Sequence, residues 1–137
     1  MARFILLVPL LLSFISFSSS GKSDDFYYGV GLLPNRTNLS SGQLFDLMRE
    51  YKVSSFRVDY FWSRVEVTKG QYSLTDKRLD NLVKNSSNLN ITPLLILDYG
   101  NKNYGGGRPI NKSEVDAYAS YSAWIVEHYN KKVHLYE

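Results

Sequence analysis

The feature that most restricts the fold is an apolar strand followed by an amphipathic helix, repeated three times. Short apolar runs occupy residues 28–33, 53–60 and 92–97. Each precedes a stretch in which apolar residues recur at helical spacing. Residues 133–137 then read as the start of a fourth strand. Because alternating strands and helices place the strands side by side in one direction, we predict an α/β fold with a parallel sheet.

The segments between the strands carry start signals for helices. Apolar residues within 44–51 share one helical face, and Asp76 stands where a second helix opens. Ser113 and Asp116 have the spacing of a capping box for a third helix, with Asp in place of Glu. That third helix is predicted to run to about Tyr129.

The sheet is predicted to be an incomplete (β/α)8 TIM barrel, with three βα units and the start of the fourth strand. A parallel strand is normally buried on both faces, so a chain that ends inside one indicates the front part of a larger protein. An open doubly wound, nucleotide-binding sheet is the alternative. The barrel is favoured because no glycine-rich phosphate turn follows the first strand, while polar and aromatic residues follow the second and third.

The first twenty residues have the layout of a secretory signal peptide. Arg3 supplies the positive end, residues 4–15 are mostly apolar, and residues 16–20 are small or aromatic. The apolar run is short for a membrane anchor of about 20 residues, and no later stretch is long enough. We therefore expect cleavage, secretion, and one domain over residues 21–137. The net charge of +3 without a basic cluster speaks against nucleic acid as a partner.

Five asparagines begin an Asn-x-Ser/Thr triplet, which is more than the composition of the chain predicts by chance. Such triplets are acceptors for N-linked glycans in secreted proteins, although loops rich in asparagine also generate them. The predicted glycosylation sites are Asn35, Asn38, Asn85, Asn90 and Asn111.

Arg57 and Asp59 are the first pair of candidate binding residues. They lie two apart in the second strand, so their side chains share one side. A buried arginine is costly unless it is paired, so Arg57 should face a carboxylate. One interpretation is that Arg57 orients an active-site carboxylate from another strand. The other is a structural ion pair between Arg57 and Asp59 inside the barrel.

Four further candidates follow the second and third strands. Trp62 is predicted to be an exposed aromatic that stacks on a sugar ring, or else a residue that seals its loop onto the core. Asp98, Tyr99 and Asn101 suit the recognition of sugar hydroxyls, although Asp-Tyr-Gly-Asn is also a typical turn. No metal-ligand spacing and no Ser/His/Asp set is evident. The run of glycines at 105–107 lacks the context of a phosphate loop, so no metal and no cofactor is predicted.

Taken in order, these segments resemble clan A glycoside hydrolases, the retaining TIM-barrel enzymes such as the cellulase-like family 5. The resemblance covers roughly residues 28–137. The segments that carry it are Phe56-Arg57-Val58-Asp59 with Trp62, the run from Trp62 through Glu66 and Gly70-Gln71-Tyr72 to Asp80, Ile96 to Asn101, and Tyr136-Glu137. A histidine that some relatives carry near the end of strand three is replaced by Asp98.

The resemblance implies a secreted O-glycosyl hydrolase that acts on an oligo- or polysaccharide. It places Arg57 beside the nucleophile and the acid/base glutamate about four residues past Glu137, with the nucleophile on strand seven. Glu137 matches an earlier, non-catalytic glutamate. No catalytic residue is therefore expected in this chain, and the chain alone is expected to be inactive. The alternative is a secreted carbohydrate-binding protein without catalytic activity.

Overall fold

A computed structural model of the chain describes residues 28–33 and 36–137. The predicted signal peptide at residues 1–20 and the sequon at Asn35 lie outside these residues. The strands are β1 (Gly29–Leu32), β2 (Ser55–Phe61), β3 (Thr92–Asp98) and β4 (Leu135–Tyr136). The helices are α1 (Ser41–Glu50), α2 (Trp62–Val65), α3 (Lys77–Ser86) and α4 (Lys112–Tyr129). Short 3-10 turns occupy Ser87–Leu89 and Lys102–Tyr104.

The four strands form one parallel sheet in the order β1-β2-β3-β4. Strand β2 pairs with β3 over its whole length, from Ser55 opposite Thr92 to Phe61 opposite Asp98. Strand β1 pairs with the first half of β2, and β4 pairs with β3 at Leu135 and Tyr136. The predicted parallel α/β sheet is confirmed, with strand bounds that differ from the prediction by one or two residues.

The sheet has two faces of different character. Alternate residues of a strand point to opposite faces, and the helices pack against only one of them, the covered face. Its buried side chains include Phe56, Val58, Tyr60, Leu95 and Leu97. The other face, which we call the open face, carries Arg57, Asp59, Phe61, Leu94, Ile96 and Asp98. Most apolar area is therefore removed from water on one side, while polar groups gather on the other.

The helix starts follow side-chain caps. Ser40 and Gln43 form a reciprocal capping box at α1, and Asp76 accepts the N–H of Leu79 at α3, as predicted. The predicted capping box of Ser113 with Asp116 is wrong. Asn111 caps α4 instead, because its side chain accepts the N–H of Glu114 at 3.0 Å. Among the described residues, no helix is both long and apolar enough to cross a bilayer.

Helices α3 and α4 meet the covered face through a buried polar cluster. The hydroxyl groups of Tyr60 and Tyr129 are hydrogen-bonded to each other, and the Tyr121 hydroxyl donates to the Tyr60 carbonyl at 2.5 Å. Asp80 contacts His128 at 2.9 Å and Lys84 at 3.0 Å. Burial opposes ionisation of Asp80, but these two contacts outweigh it and hold the pKa of Asp80 below its ordinary value.

The loop after β3 folds back on itself at Gly100. A Cβ atom at this position would lie 2.2 Å from the carbonyl oxygen of Gly106 and 2.4 Å from that of Gly107. Gly105 and Gly106 have φ values of +88° and +79°, which glycine adopts without strain. The glycine-rich run is therefore a compact turn against Gly100.

The substitution Gly100→Ala should lower the free energy of unfolding by about 1–3 kcal/mol, because the new methyl group collides with backbone atoms. Gly42→Ala is the matched control. A Cβ atom at position 42 would meet nothing closer than Ser40 Oγ at 3.8 Å. Because Gly42 lies inside α1, where alanine is favoured over glycine, this substitution should raise the free energy of unfolding by about 0.5–1 kcal/mol. Urea unfolding followed by circular dichroism measures both. Equal effects of the two substitutions would contradict the close approach at Gly100.

Candidate functional site

The carboxyl ends of β1 and β2 border a cavity of about 330 Å³. Leu33 and Arg36, which follow β1, supply one wall, and the segment between β2 and α3 supplies another. Its lining residues are Leu32, Leu33, Arg36, Asp59, Tyr60, Phe61, Arg64, Val65, Leu74, Thr75, Asp76, Leu79 and Tyr99. A second cavity of about 210 Å³ lies at the opposite end of the strands and contains none of the predicted binding residues. The first cavity is therefore the candidate site.

Arg57 and Asp59 form an ion pair on the open face, with 3.6 Å between Arg57 Nη2 and Asp59 Oδ1. The Arg57 side chain is 55% exposed, so the expectation that it is buried is wrong. Arg57 reaches water because none of the helices within residues 36–137 packs on the open face. The structural pair exists, while the role of Arg57 in orienting a carboxylate from another strand stays a prediction.

Asp98 occupies the same face at the end of β3, beside Phe61 in the register. Its Oδ1 atom is shielded from water and has no hydrogen-bond partner. Burial and the nearby charge of Asp59 raise the pKa of Asp98 to about 6, against the opposing effect of Arg57. Glu137 adds a further, smaller repulsion. Asp98 is consequently a carboxyl group that can hold or release a proton near neutral pH.

Tyr99 forms an exposed aromatic surface next to Asp98. The residue is 55% exposed, and its ring stacks on Phe61 with centroids 4.4 Å apart and planes 17° from parallel. The guanidinium carbon of Arg64 lies 4.5 Å from the centre of the Phe61 ring. Tyr99 also has φ of +64°, which is unusual for a bulky residue. Such strain is retained at positions that the surrounding structure holds firmly, and these are often functional.

Trp62 is 1% exposed, so the prediction of an exposed loop aromatic is wrong. Its indole N–H donates to Glu66 Oε2 at 2.6 Å, and its ring stacks on Tyr104 at 4.8 Å. The other interpretation, a tryptophan that seals the loop onto the core, matches this geometry. In the part of the chain that the structure describes, Trp62 is therefore the most buried of the six predicted binding residues.

Glu66 is fully buried and joins the loop after β2 to the loop after β3. Its Oε1 atom accepts the N–H of Gly70 and the hydroxyl of Tyr104, both at 2.6 Å. Its backbone carbonyl accepts the amide of Asn101 at 2.8 Å. The Asn103 amide donates to the same carbonyl at 3.3 Å, so with the Trp62 contact five donors converge on one residue. Within the part of the chain that the structure describes, this arrangement satisfies the buried Glu66 carboxyl group without a cationic partner.

Asn101 is 3% exposed and is occupied by this junction. Besides its bond to Glu66, its side chain accepts the N–H of Asn103 at 2.9 Å, so it caps the 3-10 turn. The turn interpretation from the sequence agrees with this position. The predicted contact of Asn101 with a sugar hydroxyl stays a prediction. Its burial and its hydrogen bonds to Glu66 and Asn103 do not support such a contact.

The cavity brings together three residues that the sequence prediction missed as binding residues, namely Arg36, Phe61 and Arg64. Phe61 was detectable, because it continues the alternation of Arg57 and Asp59 along β2. Arg64 follows Phe61 by three residues in one helical turn, a spacing that places the two side chains together. Arg36 carried no signal, since its place depends on how the first loop folds.

The described sequons Asn38, Asn85, Asn90 and Asn111 are all exposed. The Asn85 amide donates to the Asn81 carbonyl at 2.7 Å, whereas Asn111 caps α4 through its oxygen. Exposure is compatible with glycosylation, which stays a prediction at every sequon. No group of three or more His, Cys, Asp or Glu residues with metal-binding geometry occurs within residues 28–33 and 36–137.

No protein-family model matches the chain, and no curated protein sequence matches it. Among solved structures, the chain is similar to a family 39 glycoside hydrolase from the gut symbiont Bacteroides cellulosilyticus WH2. The TM-score is 0.69 and the sequence identity is 25%. The match covers 79% of this chain and 23% of the hydrolase, so the chain spans about a quarter of the length of that enzyme.

The likeness bears on two predictions from the sequence. Family 39 belongs to clan A, in agreement with the clan of the resemblance, but the narrower assignment to family 5 is not supported. The four-stranded parallel sheet is consistent with a partial TIM-barrel-like fold.

The substitution Glu66→Gln should lower the free energy of unfolding by about 1–3 kcal/mol, because an amide nitrogen replaces one acceptor among converging donors. Chemical unfolding followed by tryptophan fluorescence measures the loss. Asp46→Asn is the matched control, since Asp46 is an exposed carboxylate whose contact with Arg49 is worth about 0–1 kcal/mol. A similar effect of both substitutions would show that Glu66 does not hold the two loops together.

The pKa of Asp98 should respond in opposite directions to its two neighbours. Asp59→Asn removes a repulsive charge and should lower it, whereas Arg57→Gln removes an attractive charge and should raise it. Because the pKa of folded Asp98 lies above the ordinary 3.8, the folded state holds a proton that the unfolded state loses. The contribution of Asp98 to stability should therefore fall as the pH rises from about 4 to 6.

Carboxyl-carbon NMR titration of Asp98 in the three proteins tests these shifts. Asp98→Asn serves as the control for stability, since it removes the same pH-dependent contribution from the unfolding curve. Shifts in the same direction for both neighbours, or an Asp98 that titrates near its ordinary value, would contradict an electrostatic origin of the raised pKa.

Proposed function

We propose that residues 21–137 form the N-terminal part of the TIM barrel of a secreted, retaining O-glycosyl hydrolase. The observation that carries this proposal is the structural similarity to a family 39 glycoside hydrolase across 79% of the chain. In this proposal β1, β2, β3 and the start of β4 are consecutive barrel strands, and the open face is turned toward the barrel axis. The substrate is an oligo- or polysaccharide.

The residues at the carboxyl ends of the strands are suited to contact sugars. In TIM-barrel enzymes the active site lies at this end of the barrel. Asp59 and Asp98, with Arg57 paired to Asp59 from nearer the start of β2, offer charged hydrogen-bonding groups to hydroxyls, and the exposed ring of Tyr99 offers a flat surface to the apolar side of a sugar. These residues contribute binding and orientation in the proposed enzyme.

Hydrolysis with retention requires two carboxyl groups about 5 Å apart, one as nucleophile and one as acid/base. The resemblance assigns neither role to a residue of this chain. It places the acid/base glutamate about four residues past Glu137 and the nucleophile on a later strand. We therefore propose that the chain alone binds sugar without cleaving it. Secretion after removal of residues 1–20 and N-glycosylation belong to the same proposal.

The chain, expressed through a eukaryotic secretory pathway, should show no turnover of a panel of aryl β-glycosides, because both reactive carboxyl groups are proposed to lie elsewhere. Colorimetric release of the aryl group is the measurement. Turnover that a single Asp98→Asn or Asp59→Asn substitution abolishes would contradict the assignment of catalysis outside this chain. An inactive wild-type chain that elutes as a folded, glycosylated species would support it.

The second candidate is a secreted carbohydrate-binding protein without catalytic activity. The observation that favours it is the stack of Tyr99 on Phe61 beside the cavity, which needs no further strand. A glycan array carried out with the same protein separates the candidates. Strong binding that is lost in Tyr99→Ala and kept in Tyr51→Ala, an exposed tyrosine at the far end of α1, favours this second function. Weak binding favours the first.

A further inference from the structure

We propose that the cavity of about 330 Å³ at the carboxyl ends of β1 and β2 binds the acid group of an anionic sugar, either a carboxylate or a sulfate. This inference rests on the proposed function, since it names the class of sugar that the site takes. The observation behind it is that Arg36 and Arg64 both line a cavity whose acidic groups are engaged elsewhere.

Arg36 is held beside the cavity by its backbone. Its N–H donates to the Leu33 carbonyl at 2.9 Å, which ties the residue to the end of β1. Within the described part of the chain, neither Arg36 nor Arg64 has a carboxylate within 4.0 Å of its guanidinium group. Both cations are therefore available to a ligand at the cavity.

Arg64 approaches the cavity through an aromatic contact. Its guanidinium carbon lies 4.5 Å from the centre of the Phe61 ring, and Phe61 in turn stacks on Tyr99. A stacked guanidinium keeps the N–H groups at its edge free, and two of them match the two oxygens of a carboxylate or sulfate. The same stack leaves Tyr99 exposed for contact with the sugar ring.

The two acidic residues that line the cavity do not neutralise these arginines. Asp59 lies 3.6 Å from Arg57, which is outside the lining. Asp76 Oδ1 accepts the N–H of Leu79 at 2.9 Å and caps α3. The lining thus holds two arginines and two aspartates, and each aspartate is engaged by a group other than these two arginines. An anion there gains attraction without displacing an existing Arg36 or Arg64 ion pair.

The rest of the lining strengthens this attraction. Most of the remaining side chains are apolar, among them Leu32, Leu74 and Leu79. Charges interact more strongly where water is partly excluded. The volume lies at the lower end of the range of about 300–1,000 Å³ for small-molecule sites, which suits one sugar unit rather than a long chain.

Isothermal titration of the secreted chain with three sugars tests the inference. D-glucuronate carries a carboxylate, glucose 6-sulfate carries a sulfate, and D-glucose is neutral. We expect at least one of the charged sugars to bind about tenfold or more tightly than glucose. Arg36→Gln and Arg64→Gln should each remove most of that difference, and about 0.5 M NaCl should reduce it. A preference between the two charged sugars identifies the acid group.

Arg49→Gln is the matched control, because Arg49 lines the second cavity at the other end of the strands. It should leave all three affinities unchanged. Arg36 is exposed on a loop, so its substitution keeps the fold, and circular dichroism verifies this for each variant. Equal binding of glucose and both charged sugars would overturn the inference while leaving sugar binding intact.

Binding of the charged sugars that neither Arg36→Gln nor Arg64→Gln changes would also overturn the inference, because the charge would then lie elsewhere. Failure of all three sugars to bind to a folded chain would overturn the inference together with sugar binding by this site. The hydrolysis assay reports on the proposed enzyme separately, so the two failures are distinguishable.

Discussion

The hydrogen bonds to the buried residue Glu66 are the interactions on which the loops after β2 and β3 depend. It gathers donors from Trp62, Gly70 and Tyr104, and its backbone carbonyl adds the amide of Asn101. A buried carboxyl group without hydrogen-bond partners is costly, so these residues hold their positions as a group. The loops after β2 and β3 therefore form one joined platform, and the residues that border the cavity and the open face extend from it.

The same platform explains why two predicted binding residues are internal. Trp62 and Asn101 have side chains that can recognise a sugar, but Glu66 requires donors of the same kind. Sequence composition near a strand end shows which chemistry is present and not whether it faces a ligand or a loop. Burial decides between the two, and it places Tyr99 at the surface and Trp62 in the interior.

The parallel sheet, the strand order and most helix starts were predictable because they follow from local patterns. Alternation along β2 and the cap at Asp76 needed no distant contact. The position of Arg36 and the cap at Asn111 were not predictable in this way. The first depends on how a loop settles against β2, and the second on competition between Asn111 and Ser113, two similar caps two residues apart. Tertiary packing decides the first, whereas local contacts hold the second, since Asn111 accepts the N–H of Glu114 at 3.0 Å and Glu114 accepts the N–H of Ile110 at 2.9 Å.

The distribution of unsatisfied groups indicates where this fold gives up stability. Two shielded polar atoms in the described residues have no hydrogen-bond partner, Asp98 Oδ1 and the Tyr136 hydroxyl, and each such atom costs about 1–3 kcal/mol. They belong to the paired strands β3 and β4. By contrast, both carboxyl oxygens of Glu66, which joins the loops after β2 and β3, accept hydrogen bonds. Burial, and then repulsion from Asp59, raise the pKa of Asp98 to about 6, so below that pH the open face holds a protonated carboxyl group rather than a second ion pair.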